Sequence, residues 1–233
     1  MTTVLGVDGC RAGWLVLAWR RPGPELQVEI APDWPAVLAA RRRHDAALVA
    51  VDMPIGLADS GPRHCDRAAR VLLPKGCKSC VFAAPRRYML TCEDWAEAQA
   101  LGRRREGVGL SKQAWNITAK IADIDRAIAP ADQAVVREAH PELVFHHLNG
   151  WQALPPKRLA AGRAARLALL ETAGITGIEA RLDRLPRAKA GADDVIDAAA
   201  CALAARRILA GTATRVPDTP ARDPRGLRME IWF

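Results

Sequence analysis

The tightest constraint on the fold lies in the first thirty residues. Residues 4–8 and 14–19 are apolar runs separated by Gly9-Cys10-Arg11-Ala12-Gly13, which reads as strand, glycine-bearing turn and strand. Residues 26–30 alternate apolar and polar after the breaker Pro22-Gly23-Pro24, giving a third strand and an antiparallel meander. The chain then changes character. Asp33 is placed to cap a helix carrying Trp34, Val37 and Leu38 that ends in Arg41-Arg42-Arg43. Residues 47–51 are a short continuous apolar run of the buried-strand kind, closed by Asp52-Met53-Pro54 because Pro54 lacks the N–H a ladder needs. Strands followed by helices and a buried strand specify an α/β protein.

Further along, residues 60–109 read as irregular or helical and hold most of the cysteines. A helix is expected to start at Ser111, a good N-cap, with Ile117, Ile121, Ile124 and Ile128 on one face. Val135 and Val136 then lead through Glu138 to Leu143, Val144 and Phe145, a candidate further strand. Two more helices are expected over residues 157–172 and 193–210, stopped by Gly174 and Gly211. Residues 229–233 look like a closing strand or a packed tail. No repeat or linker interrupts this series, so we expect a single domain over residues 1–233 with a helical and loop insertion around residues 60–130.

Half of the 233 residues are hydrophobic and 26% are charged, enough for a core and too apolar for wholesale disorder. No apolar run approaches the roughly 18 residues of a membrane span, and Asp8 and Arg11 break the first apolar stretch, against a signal peptide. We therefore expect a cytoplasmic protein with no membrane partner. The six cysteines do not resemble a secreted disulfide framework. A formal net charge of +8 suits a polyanionic partner such as nucleic acid.

The chemistry is concentrated in acids. Asp8 and Asp52 each end a strand, where an α/β sheet places its reactive groups, and adjacent strands would bring both to one ion. Asp193, Asp194 and Asp197 open the last long helix; at roughly 100° per residue they fall within one arc of about 100°. Asp193 is also a natural N-cap. Asp197 is flanked by Ile196 and the run 198–200 of alanines, a buried-looking surface on which a carboxylate needs a partner. Clustered carboxylates repel one another without a cation, and hard Mg2+ or Mn2+ takes oxygen ligands. Asp8, Asp52, Asp193, Asp194 and Asp197 are thus the metal-ligand candidates.

An ordered series of motifs carries a family resemblance. The series runs from Gly6-Val7-Asp8-Gly9-Cys10-Arg11-Ala12-Gly13-Trp14 and Asp52-Met53-Pro54-Ile55-Gly56-Leu57 to Arg63-x2-Asp66-x2-Ala69-Arg70. It continues with Val81-Phe82-x2-Pro85, Gly109-Leu110-Ser111-x-Gln113 and Glu138-x-His140-Pro141-Glu142. Lys157, Gly162 and Arg166 follow, then Asp193-Asp194-x2-Asp197-Ala198, and finally Asp223-x2-Gly226-Leu227-Arg228-Met229-Glu230-Ile231-Trp232. The chain resembles, over nearly its whole length, the predicted ribonuclease-H-like nuclease family catalogued as domain of unknown function 429. The resemblance implies a mixed five-stranded sheet, three antiparallel strands first, with helices on both faces. It also implies two metal ions held by Asp8, Asp52, Asp194 and Asp197 for phosphodiester hydrolysis.

Other residues complete the list. Glu138, His140 and Glu142 share one face if their segment is a strand, and either acid could ligate metal or protonate a leaving group. Arg63, Arg70, Arg86 and Arg87 could clamp phosphates; Arg11 and Ser111 join them as substrate-binding candidates. Trp95, Trp115 and Trp151 could stack a base, whereas Trp14, Trp19 and Trp232 read as core. His146-His147 reads as surface. Cys77-x2-Cys80 is half of a structural zinc knuckle that His64, Cys65 or Cys92 could complete, but we expect free thiols. Two rival functions remain: a phosphotransferase or ATPase of the actin-like or sugar-kinase type, which would normally need a second copy of the fold, and a non-catalytic nucleic-acid-binding module, which would have no need of the acids. Oligomeric state is not legible.

Overall fold

A computed structural model describes residues 1–23, 25–182 and 188–233; Pro24 of the expected breaker lies outside the described residues. Along the chain the elements are β1 (Thr2–Cys10), β2 (Gly13–Arg21), β3 (Leu26–Ala31), α1 (Trp34–Arg43), β4 (Ala46–Val51) and α2 (His64–Leu72). Next come α3 (Trp95–Glu106), α4 (Lys112–Asn116), α5 (Thr118–Ala127), β5 (Val136–Glu138) and α6 (Pro141–Leu148). The last are α7 (Ala160–Thr172), α8 (Ile178–Leu182), α9 (Ala192–Leu209), and the short pair β6 (Arg215–Val216) and β7 (Ile231–Trp232). The expected meander is present, and Asp33 caps α1 by accepting the Ala36 N–H at 2.8 Å. Gly174 and Gly211 follow the C-cap residues Ala173 and Ala210 of α7 and α9, each with positive φ. Among the described residues no helix is long and apolar enough to cross a membrane.

Three expectations need correction. The single helix expected from Ser111 is two, because the backbone breaks at Ile117 between α4 and α5. Residues 143–145 are not a strand: Pro141 at the first turn starts helix α6, so Leu143, Val144 and Phe145 are buried helical residues. Glu138, His140 and Glu142 therefore do not share a strand face. Asp193 is not the cap of α9; Gly191 is, and its N–H is taken by the Asp194 side chain at 2.8 Å.

The chain divides into two compact units. The first comprises residues 1–53, 134–215 and 232–233; the second comprises residues 54–133 and 216–231. The first unit contains a five-stranded sheet in the order β3-β2-β1-β4-β5, with β1, β2 and β3 antiparallel and β4 and β5 parallel to β1. Residues 4–7 are each buried, as are residues 48–51, which a strand achieves only when both sheet faces are covered. Helix α9 packs on β1, β2 and β4, and α1 packs on β2, β3 and β4. The alanines of α9 have a steric reason: a Cβ on Gly6 would stand 1.8 Å from the Ala198 carbonyl oxygen, so helix and strand meet backbone to backbone. Only small residues permit that approach.

Buried ion pairs organise the second unit. Arg63, 3% exposed, donates to Asp66 at 2.6 Å and to the carbonyls of Ile55 and Gly56, while Asp66 also accepts the Ala84 N–H. Asp223 accepts the N–H groups of Leu57, Arg225 and Leu227 and pairs with Arg87, which also pairs with Asp125. Each buried charge has a partner, as burial requires. Met89, Ala98, Leu110 and Ala114 form an apolar cluster.

Candidate active site

The parallel register of β1 and β4 sets Gly6 against Ala50 and Val7 against Val51, and the Asp52 N–H donates to the Val7 carbonyl at 2.9 Å. Paired residues of neighbouring strands project to the same face, and alternate residues return to it. Asp8 thus shares the face of Gly6, and Asp52, one step past β4, shares the face of Ala50. That face is the one against which α9 lies. On α9, Asp194, Asp197 and Cys201 recur at i, i+3 and i+7, the spacing of one helical stripe. One close backbone approach therefore gathers carboxylates from positions 8, 52, 194 and 197.

The electrostatics record this convergence. Burial, followed by the charges of Asp52, Asp197 and Asp194, holds the Asp8 carboxyl well above the usual range, although the Gly9 N–H donates to it at 2.7 Å. Burial raises Asp52 to about 7; Lys157 opposes the rise and Glu142 adds to it. Burial likewise raises Asp197 to about 7, against the Lys157 ammonium and with help from Asp52 and Glu142. Asp194 is raised more modestly by burial, offset by its bond from Gly191. The Cys201 thiol is pushed up by burial and by the Asp52, Asp8 and Asp197 charges.

A cation, Lys157, stands among them. Lys157 Nζ donates to Asp197 Oδ2 at 2.9 Å. Burial would lower this amine, but Asp197, Asp52 and Glu142 together hold it above its ordinary value. Its side chain is still 46% exposed, so the ammonium can meet a ligand arriving from solvent. Beside the acids lies a groove of about 450 Å³ lined by Gly9, Cys10, Arg11, Arg163, Asp193 and Asp194. Two guanidinium groups thus flank the outer acids.

The remaining expectations divide. Glu138 is buried at the end of β5. Glu142 is buried too, but Arg166 grips it through Nε at 3.0 Å and Nη2 at 2.8 Å. Its carboxylate acts on the site through its charge; Arg166 occupies the oxygens that a leaving group would need. His146, expected at the surface, is fully buried, with Nδ1 3.0 Å from the Gln152 carbonyl; His147 is half-buried against Trp151 and Phe233. Asp193 is only half-buried. Arg63, Arg86 and Arg87 are engaged in ion pairs inside the second unit and cannot clamp a substrate without breaking them. Ser111 caps α4 through the Ala114 N–H at 3.1 Å. Among the described residues all six cysteines are outside disulfides, and no three His, Cys, Asp or Glu side chains are arranged to hold a metal ion.

Sequence reasoning gave no role to Lys157, Arg163 or Cys201. Lys157 is 40 positions from Asp197, and no local pattern announces such a pair.

The raised carboxyls have a thermodynamic consequence. A carboxyl that holds its proton more tightly in the folded than in the unfolded chain contributes stability in full below the unfolded value of 3.8 and loses it as pH rises through about 7. In chelator at pH 8, Asp197→Asn should therefore melt no lower than wild type. Its advantage should shrink by about 2–3 kcal/mol on going to pH 5, where wild type regains the proton. Melts of both proteins across that range check the sign. A variant several kcal/mol less stable at pH 8 would mark Asp197 as a satisfied structural carboxylate.

No curated protein and no solved structure matches the chain. The family model described as "Protein of unknown function (DUF429)" matches residues 6–222, a span that contains every acid of the site, and the chain belongs to that family.

Proposed function

We propose that this chain is a metal-dependent nuclease that hydrolyses phosphodiester bonds in nucleic acid. The observation that carries the reading is the gathering of mutually repelling acids, Asp8 and Asp197 buried and Asp52 half-buried, from two strand ends and one helix. A fold tolerates such a cluster at a cost, and a cation relieves it. The strand order, with three antiparallel strands first and a long helix over the central strand, supports a ribonuclease-H-like fold.

The donor set fits a hard divalent ion by its chemistry, being all carboxylate oxygen. The side chains are not drawn to one centre, and Lys157 holds Asp197. Asp8, Asp52 and Asp197, with Asp194 at the rim, are the residues that would hold Mg2+ or Mn2+. When bound, the ion supplies an activated water and neutralises charge on the phosphoryl oxygens. The protein's own groups do the rest. Lys157 offers a fixed positive charge beside the acids, where charge develops on phosphorus-bound oxygens. Arg11 and Arg163 hold the flanking backbone in the groove. In the hydrolysis, water's oxygen bonds to phosphorus, one ester P–O bond breaks, and the departing oxygen takes up a proton. The net charge of +8 favours the polyanionic substrate.

The deciding experiment offers single-stranded, duplex, hybrid and junction nucleic acids to wild type with Mn2+, Mg2+ or chelator. Cleavage of at least one substrate, dependent on metal, is expected. Saturating ion should also stabilise the fold by about 2.7 kcal/mol at a hundredfold excess over its dissociation constant. Neither cleavage nor a shift in melting with either ion would overturn the reading.

A further inference from the structure

The second unit contains a cavity of about 330 Å³, distinct from the acids of the first. Three of the sequence stretches quoted above converge on it: Arg70 from the first, Val81 and Phe82 from the second, and residues 109–111 with Gln113 from the third. Among the described residues its lining charges are Arg70, Lys78 and Arg86, and no Asp or Glu lines it. Arg86 is neutralised by Glu106 at 3.0 Å. Arg70 is held through Nε by the Val81 carbonyl, and among the described residues its two Nη groups have no protein acceptor. Lys78 is exposed. Two uncompensated cations thus share a cavity whose other surfaces are apolar (Val81, Phe82, Leu110) or neutral hydrogen-bonding groups (Ser111, Gln113).

The wall opposite is fixed in place. The Leu110 carbonyl accepts from Trp95 Nε1 at 2.8 Å, and Ser111 Oγ accepts the Ala114 N–H, which keeps its own proton available to donate. A Cβ on Gly102 would stand 2.5 Å from the Val108 carbonyl oxygen, so this glycine permits the tight seating of the wall. A preformed recess with an apolar floor and a few polar groups is the ordinary form of a small-molecule site, and this volume lies at the lower end of the roughly 300–1,000 Å³ range.

We infer that this cavity binds one nucleotide unit, its phosphate on Arg70 and Lys78 and its base against Phe82 and Leu110 with Gln113 at the base edge. Guanidinium and ammonium groups suit a phosphate, an aromatic side chain suits a base, and a carboxamide can donate and accept at a heterocycle. The unit can be a free nucleoside monophosphate or the phosphorylated end of a strand. The inference does not rest on cleavage by the first unit.

Calorimetry on the full chain tests it with four probes: a nucleoside 5′-monophosphate, the matching nucleoside, inorganic phosphate, and a short single strand with or without a 5′-phosphate. The monophosphate should bind at least tenfold more tightly than either fragment. Lys78→Gln, an exposed change that leaves the fold alone, should weaken it about tenfold, as should Arg70→Gln, with Phe82→Leu weakening the monophosphate more than phosphate. A free ligand is indicated if the monophosphate outcompetes the phosphorylated strand, and a strand end if the strand wins and loses affinity without its 5′-phosphate. Absence of monophosphate and strand binding, or binding unchanged in both Lys78→Gln and Arg70→Gln, overturns the inference. Binding without any metal-dependent cleavage would leave it standing and remove only the nuclease reading.

Discussion

Asp8→Asn is expected to lower metal-dependent cleavage by at least about 100-fold, the upper end of the loss that follows from disturbing the support of a metal ligand. Asp8 feels the charges of Asp52, Asp194 and Asp197 at once. The substitution is nearly isosteric. The Asn side-chain oxygen can still accept the Gly9 N–H, and the neutral amide relieves repulsion in a buried place, so the apo fold should be no less stable. Nucleic-acid binding should change little, because Arg11 and Arg163 remain in the groove. Single-turnover cleavage together with a binding titration checks both halves. Cleavage at the wild-type rate would remove Asp8 from the site.

Arg166→Met should destabilise the protein by about 3–5 kcal/mol, the usual consequence of stripping one partner from a buried pair. Arg166 is 3% exposed and satisfies both oxygens of Glu142 while donating to the carbonyls of Pro155 and Gly162. Without it, Glu142 is left charged beside Asp52 and Asp197, both of which it already raises. A shift in melting of roughly 2–4 °C per kcal/mol makes the effect large enough to measure without ambiguity. Adding Glu142→Leu should recover much of the loss, since two apolar groups replace the pair. A single variant within 1 kcal/mol of wild type would show that the pair is not a structural brace.

The same residues show how far the sequence could be read. The meander and the β4 strand were legible because continuous apolar runs between glycine and proline breakers have few alternatives. The segment after β5 was not. Residues 143–145 are apolar enough for a strand, and a short apolar run carries no period that separates strand from helix. The proline before them decides for helix, and that placed Glu142 under Arg166 rather than on a strand face. The arginines of the second unit looked like phosphate clamps by composition; three of them are held by acids from 3 to 136 positions away.

What the sequence by itself determined is the opening meander, the β4 strand, and the acids at the ends of β1 and β4 and at the start of the last long helix, because these follow from local periodicity and local breakers. The tertiary structure alone decided which acids meet. Gly6 lets α9 lie directly on β1, the register of β1 with β4 puts Asp8 and Asp52 on that face, and Lys157 arrives from 40 residues away to hold Asp197. Long-range charge pairs of this kind are set by packing distance, which no sequence spacing encodes.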